Sequence, residues 1–121
     1  MPNKTVLVVD DSPTERKLMQ QALQGKGYNL VSASDGEEAL EKVAQQKPDV
    51  VLLDIILPRK NGFQVCRQLK TTPETQNIKV ILISSKTQDT DRFWGLKQGA
   101  DEYLTKPVAA ENLAASVAKY L

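Results

Sequence analysis

Short, wholly apolar and largely β-branched runs alternate along this chain with segments of helical period, and that alternation narrows the possible folds more than any other feature. Val6 to Val9 and Val50 to Leu53 are continuous apolar runs of strand length, as expected for strands buried on both faces. Val80 to Ile83 is another, Tyr28 to Ala33 is strand-like, and Tyr103-Leu104-Thr105 gives a short last strand. Between the first two strands, Ser12 reads as a helix N-cap, Pro13 as the first helical position, and Glu15 as the partner that closes a capping box. Leu18, Met19, Ala22 and Leu23 form that helix's stripe, and Gly25 and Gly27 stop it. A cap at Ser34 or Asp35 opens a second helix on Ala39, Leu40 and Val43, and Pro48 ends the connection. Pro58 to Gly62 is a turn, and Phe63, Val65, Cys66 and Leu69 carry the third helix. A fourth helix from about Asp89 to Gln98 ends at Gly99, where a left-handed residue is expected, and Leu113 to Tyr120 is the last. Strand-helix alternation without repeat or linker predicts an α/β fold, a mostly parallel sheet with helices on both faces.

A chain of 121 residues has room for one domain and can bury about two thirds of its unfolded surface, so it needs no disulfide or structural metal to fold. The absence of histidine excludes a Ser-His-Asp triad, His-ligated zinc and a phosphohistidine donor. The lone Cys66 excludes an internal disulfide and suits a reducing compartment. A net charge of +1 with no basic stripe argues against nucleic-acid binding. Met1-Pro2-Asn3-Lys4 leads directly into a strand-like run, and Asp54 breaks the longest apolar stretch, so neither a signal peptide nor a membrane span is predicted. The expectation is a cytoplasmic protein.

In parallel α/β sheets, ligands bind beyond the carboxyl ends of the strands, where the strand order reverses. The first strand ends in Asp10-Asp11, the third in Asp54, and the fourth in Ser84, while Lys106-Pro107 follows the fifth. Carboxylates, a hydroxyl and an ammonium group thus collect at one edge. Two carboxylates about 4 Å apart repel by roughly 4 kcal/mol at a dielectric of ~20. Three together need a cation or must bind protons. Mg²⁺ takes oxygen ligands, commonly one or two carboxylates and a phosphoryl oxygen. Lys106 and the Ser84 hydroxyl could then stabilise phosphoryl oxygens during in-line transfer. No P-loop is present, and Gly25-Lys26-Gly27 follows a helix instead of opening one, so a nucleotide is not the predicted phosphate source.

Asp10-Asp11, Asp54 after an apolar strand, the Pro58 to Gly62 turn, Ser84, Tyr103 and Lys106-Pro107 occur in the order and spacing of a known family. From Lys4 to its end the chain resembles the receiver domain of two-component response regulators. The resemblance implies a flavodoxin-like (βα)5 fold with strand order 2-1-3-4-5, and one receiver spanning 1–121 with no output domain. It implies Asp54 as phosphoacceptor from a histidine kinase and Mg²⁺ held by Asp11, Asp54 and the carbonyl of Ile56. Asp10 would act through metal-bound water. It further implies that Lys106 contacts the phosphoryl group, that Ser84 is the switch hydroxyl, that Tyr103 swings inward behind it, and that Lys106-Pro107 is a cis peptide. Output would pass from the helix 4, strand 5, helix 5 face to a protein partner, from a monomer or a weak phosphorylation-dependent dimer; a phosphate-sink role is the alternative. Ser12-Pro13-Thr14-Glu15, Phe93-Trp94-Gly95, Gln98-Gly99-Ala100 and Tyr103 to Val108 are similar to PilH-type regulators. That group serves chemotaxis-like control of type IV pilus motility and implies a CheA-like kinase.

Plainer readings compete. Asp10 and Asp11 alone would be helix-capping residues, and only Asp54 and Lys106 turn them into a metal site. Tyr103 could be a half-buried sheet aromatic, Trp94 reads as core before contact, and Cys66 as a small apolar helix residue. Asn61 replaces the Asp that many receivers carry before the glycine, and Ala109-Ala110 offers the last helix no polar cap. Ile56 and Lys86 occupy positions where family members tune dephosphorylation. A haloacid-dehalogenase-type phosphatase would instead need Asp-x-Asp after the first strand, and a flavodoxin-like cofactor binder would need a phosphate-cradling loop there.

Overall fold

The computed structural model describes residues 4–85 and 89–121. Five strands and five helices alternate: β1 (Thr5–Val9), α1 (Pro13–Leu23), β2 (Asn29–Ala33), α2 (Gly36–Gln46), β3 (Val50–Asp54), α3 (Gly62–Thr71), β4 (Lys79–Ser84), α4 (Asp89–Lys97), β5 (Glu102–Thr105) and α5 (Ala110–Lys119). The strands are parallel in the order β2-β1-β3-β4-β5.

The apolar strand runs are continuous because each face of the sheet has its own core. Leu7, Val9, Val51, Leu53, Val80 and Leu82 face α2 and α3. The residues between them, Val6, Val8, Val50, Leu52, Ile81 and Ile83, face α1 and α5. A period of two along each strand thus divides one unbroken apolar run between two layers. Each fully buried Val, Leu or Ile contributes roughly 1.5–3 kcal/mol, so these twelve side chains dominate the stabilisation of the fold.

Several local expectations change in the structure. In α1, Met19 and Leu23 are buried but Leu18 is exposed, because one residue turns the helix by about 100° and carries Leu18 off the stripe. Ser12 caps α1 through its hydroxyl and the Glu15 N–H, yet the reciprocal half of the capping box is pre-empted: the Ser12 N–H donates to Asp10 Oδ1 at 2.9 Å. The second cap is Asp35. Asn61 is no mere tolerated turn residue; it forms a full capping box with Gln64 at the start of α3. Trp94, expected in the core, is 56% exposed. Helix α5 begins at Ala110, earlier than Leu113, and Ala109 supplies no side-chain cap. Gly99 is left-handed at φ 97°, as a helix stop there requires.

Cys66 lies in α3, fully buried, with its Sγ donating to the Gln98 carbonyl at 3.6 Å. Burial pushes its thiol up to about 12. Since the thiolate is the reactive species, iodoacetamide at mildly alkaline pH is expected to leave the native protein unlabelled and to label it fully in urea. Rapid labelling without denaturant would contradict the burial.

Candidate functional site

The strand order reverses between the paired strands β1 and β3: the chain leaves β1 for α1 on one face of the sheet and β3 for α3 on the other, and a crevice opens beyond their carboxyl ends. Asp10 is the first residue after β1 and Asp54 the last of β3; Ser84 ends β4, and Lys106 follows β5. Asp10 and Asp54 are buried, Asp11 is exposed, and oxygens of all three carboxylates lie within 4.8 Å of one another.

Lys106 is the cation among them. Its Nζ donates to Asp10 Oδ2 at 2.8 Å and to Asp54 Oδ2 at 3.2 Å. Lys106 is brought there by its own N–H, which extends the sheet with a bond to the Ser84 carbonyl at 2.8 Å, and the Lys106–Pro107 bond that follows is cis. The other Asp10 oxygen accepts from the Ser12 N–H, which ties the carboxylate to the start of α1. Arg16, one turn into that helix, donates from Nη1 to the Asp10 carbonyl at 2.7 Å. The sequence reading misses Arg16; a cation one turn into the helix, six residues past Asp10, is the available signal.

Asp54 is held by the N–H of Ile56, which donates to Oδ1 at 3.3 Å. The loop between β3 and α3 returns at once because Gly62 donates its N–H to the Ile55 carbonyl at 2.8 Å. A Cβ at Gly62 would collide with the Asp54 carbonyl, so only glycine allows this approach. Arg59, at φ 68°, anchors the loop to the start of α2 through ion pairs with Asp35 and Glu37. Ile56 itself is 57% exposed beside the crevice. Lys86 lies outside the described residues.

Burial raises the Asp54 pKa above the usual carboxylate range; Lys106 opposes the shift and Asp10 adds to it. Burial alone would lower the Lys106 pKa, but its bond to Asp10 and the charges of Asp54 and Asp10 raise it. Lys106 is therefore a permanent cation at neutral pH. Tyr103 is buried, with its ring inward, and its hydroxyl is hydrogen-bonded with the Ser84 side chain; burial raises its pKa and that bond pulls it down.

Comparison with known families matches residues 6–118 to the response regulator receiver domain. The chain belongs to the receiver-domain family. It is 46% identical to the protein PilH of Pseudomonas aeruginosa over 112 residues, 93% of each chain. It is 40% identical to the alkaline phosphatase synthesis transcriptional regulatory protein PhoP of Bacillus subtilis, covering 95% of this chain but 47% of PhoP. Among solved structures, the chemotaxis response regulator CheY4 of Vibrio cholerae superposes with a TM-score of 0.91 at 28% identity, covering 99% of this chain and all of that one. This is a two-component signalling switch and not a classical enzyme. Receiver domains accept phosphate from histidine kinases, act on downstream targets and bind Mg²⁺ at an acidic pocket, and in this chain Asp10, Asp11 and Asp54 form an acidic cluster. Among the described residues, no helix is long and apolar enough to cross a membrane.

Proposed function

We propose that Asp54 is the phosphoacceptor of this receiver, and that the cluster around it binds Mg²⁺ and stabilises the transferred group. The observation that carries this is a buried carboxylate at the end of a central strand, with Lys106 3.2 Å away and two further carboxylates alongside. The donor set fits the metal: all-oxygen, anionic, and exposed on one side through Asp11. Asp11, Asp54 and the Ile56 carbonyl would hold the ion directly, and Asp10 through water. When bound, Mg²⁺ supplies a hard Lewis acid that offsets the charge of the carboxylates and of phosphoryl oxygens.

An Asp54 carboxylate oxygen attacks the phosphorus of a phosphohistidine on the kinase. A P–O bond forms, the P–N bond breaks, and the imidazole nitrogen keeps the electron pair and takes up a proton. Lys106 Nζ, already against Asp54, stabilises the phosphoryl oxygens. Water attack on the same phosphorus later releases inorganic phosphate and restores the Asp54 carboxylate. Ser84 would exchange its Tyr103 partner for a phosphoryl oxygen, biasing the α4-β5-α5 face toward partner binding. The similarity to PilH over nearly the whole of both chains supports a role in type IV pilus motility, with a CheA-like kinase as donor in the cytoplasm.

Intact mass after incubation with acetyl phosphate tests this reading. A single phosphoryl adduct that requires both Mg²⁺ and Asp54, and is missing in Asp54→Asn, is expected. A folded protein that takes no adduct under any condition would overturn it.

Ile56 bears on how long that state lasts. An exposed apolar side chain two residues from the acylphosphate screens the water that must attack it. Ile56→Asn is expected to speed autodephosphorylation severalfold, followed as decay of the adduct mass; an unchanged rate would remove Ile56 from the account.

A further inference from the structure

Among positions 91–97 of helix α4, the one buried against the rest of the fold has no side chain. Of positions 91–97, only Gly95 is buried, while Phe93, Trp94 and Leu96 are all about half exposed or more. A Cβ at Gly95 would stand 2.9 Å from Leu82 Cδ1 and 2.9 Å from Tyr103 Cδ2, closer than real Cβ contacts come. Leu82 and Tyr103 are cross-strand neighbours in β4 and β5, so the α4 backbone lies directly over that pair.

Neither neighbour can yield cheaply. Leu82 is fully buried between β3 and β5, and Tyr103 is buried with its hydroxyl engaged by Ser84. On the helix side, Arg92 lies 5.9 Å from the Tyr103 ring centroid, so the ring is covered by α4 and tied to the end of β4. Glycine within a helix is less favourable than alanine. A glycine at the one buried position among residues 91–97 is accounted for by the need to bring backbone and ring together.

We propose that Gly95 is a positioning residue that seats α4 on the Tyr103 ring, so that the location of the ring sets the location of α4 and of its exposed Phe93, Trp94 and Leu96. A helix that buries only Gly95 among positions 91–97 has few apolar contacts of its own and belongs to the least stable part of the fold. It moves as a unit when its floor moves. The link to phosphorylation rests on the proposed role of Asp54; the seat itself does not.

Trp94 is the only tryptophan in the chain and adjoins Gly95, so the native protein carries its own probe. Hydrogen exchange over residues 91–97, Trp94 emission and intact mass are measured together, with and without acetyl phosphate and Mg²⁺. Gly95→Ala is expected to speed exchange over 91–97 by about tenfold or more, with β1 and β3 unaffected. It should take up the same phosphoryl group as the native chain but lose the accompanying change in Trp94 emission. In a Tyr103→Ala background, the same substitution is expected to speed exchange by clearly less, because the ring contact is gone and only the Leu82 contact remains. Slower exchange in the native background, or an undiminished Trp94 response in Gly95→Ala, would overturn the proposal. So would a native chain that is phosphorylated without any Trp94 response. If the native chain takes no phosphoryl group, the Asp54 reading fails, and the exchange data alone decide whether α4 is seated through Gly95.

Discussion

Lys106→Met is expected to destabilise the fold by roughly 3 kcal/mol at neutral pH, read as a fall in the urea midpoint with an unchanged slope. Methionine keeps the apolar stem of the side chain as far as Cε and removes the ammonium group with its charge and donors. What remains is Asp10 at 1% exposure and Asp54 at 7%, two buried carboxylates without the cation that bonded both. The pH dependence is diagnostic. In the native chain the Lys106 pKa is raised, so its contribution is complete below the ordinary lysine value and lost as pH climbs through the higher folded one. The variant lacks that contribution at every pH. It should instead recover stability on acidification, since Asp54 binds a proton more readily folded than unfolded. A cost below about 1 kcal/mol, or no recovery in acid, would mean that Lys106 is a solvated surface cation with little hold on the cluster.

The architecture was legible because each central strand needed apolar residues on both faces, and Asp54 stood out by ending such a run. The polar residues at the strand ends are the ones the structure brings together, Asp10, Asp11 and Asp54 with Lys106. What stayed hidden followed rules that periodicity does not carry. Trp94 reads as core because large apolar side chains on a helix usually face inward. In α4 the inward position is Gly95, which gives no hydrophobic signal, and the aromatic residues point out. Leu18 failed on the same premise. Asn61 and Gln64 did carry a signal, a capping pair ahead of an apolar run, but a turn reading absorbed it. The Glu15 half of the first capping box is lost because Asp10 Oδ1 accepts the Ser12 N–H, the donor that helix capping would otherwise use.

Asp54→Asn is expected to make the protein more stable while abolishing its chemistry. Burial, the largest influence on this carboxyl, holds its pKa above the ordinary value, and the neighbouring charge of Asp10 pushes the same way. Lys106 pulls against both without cancelling them. A raised folded pKa means the native state binds the proton more tightly than the unfolded chain. Stability is therefore fullest at acid pH, falls as pH rises from the ordinary carboxylate value through the raised one, and bears the whole penalty at neutrality. Asparagine keeps the shape and an oxygen for the Ile56 N–H, removes the charge, and leaves Lys106 its 2.8 Å bond to Asp10. A gain of about 1 kcal/mol, or ~4 °C in Tm, is the expected size, with a flatter profile between acid and neutral pH. An asparagine variant that is less stable, or that keeps the native pH profile, would show the Lys106 pair outweighing burial at this position. The gain, if found, measures what the fold gives up to keep a charged nucleophile in a buried strand end, and it ties the stability cost to the same carboxylate that the adduct experiment identifies.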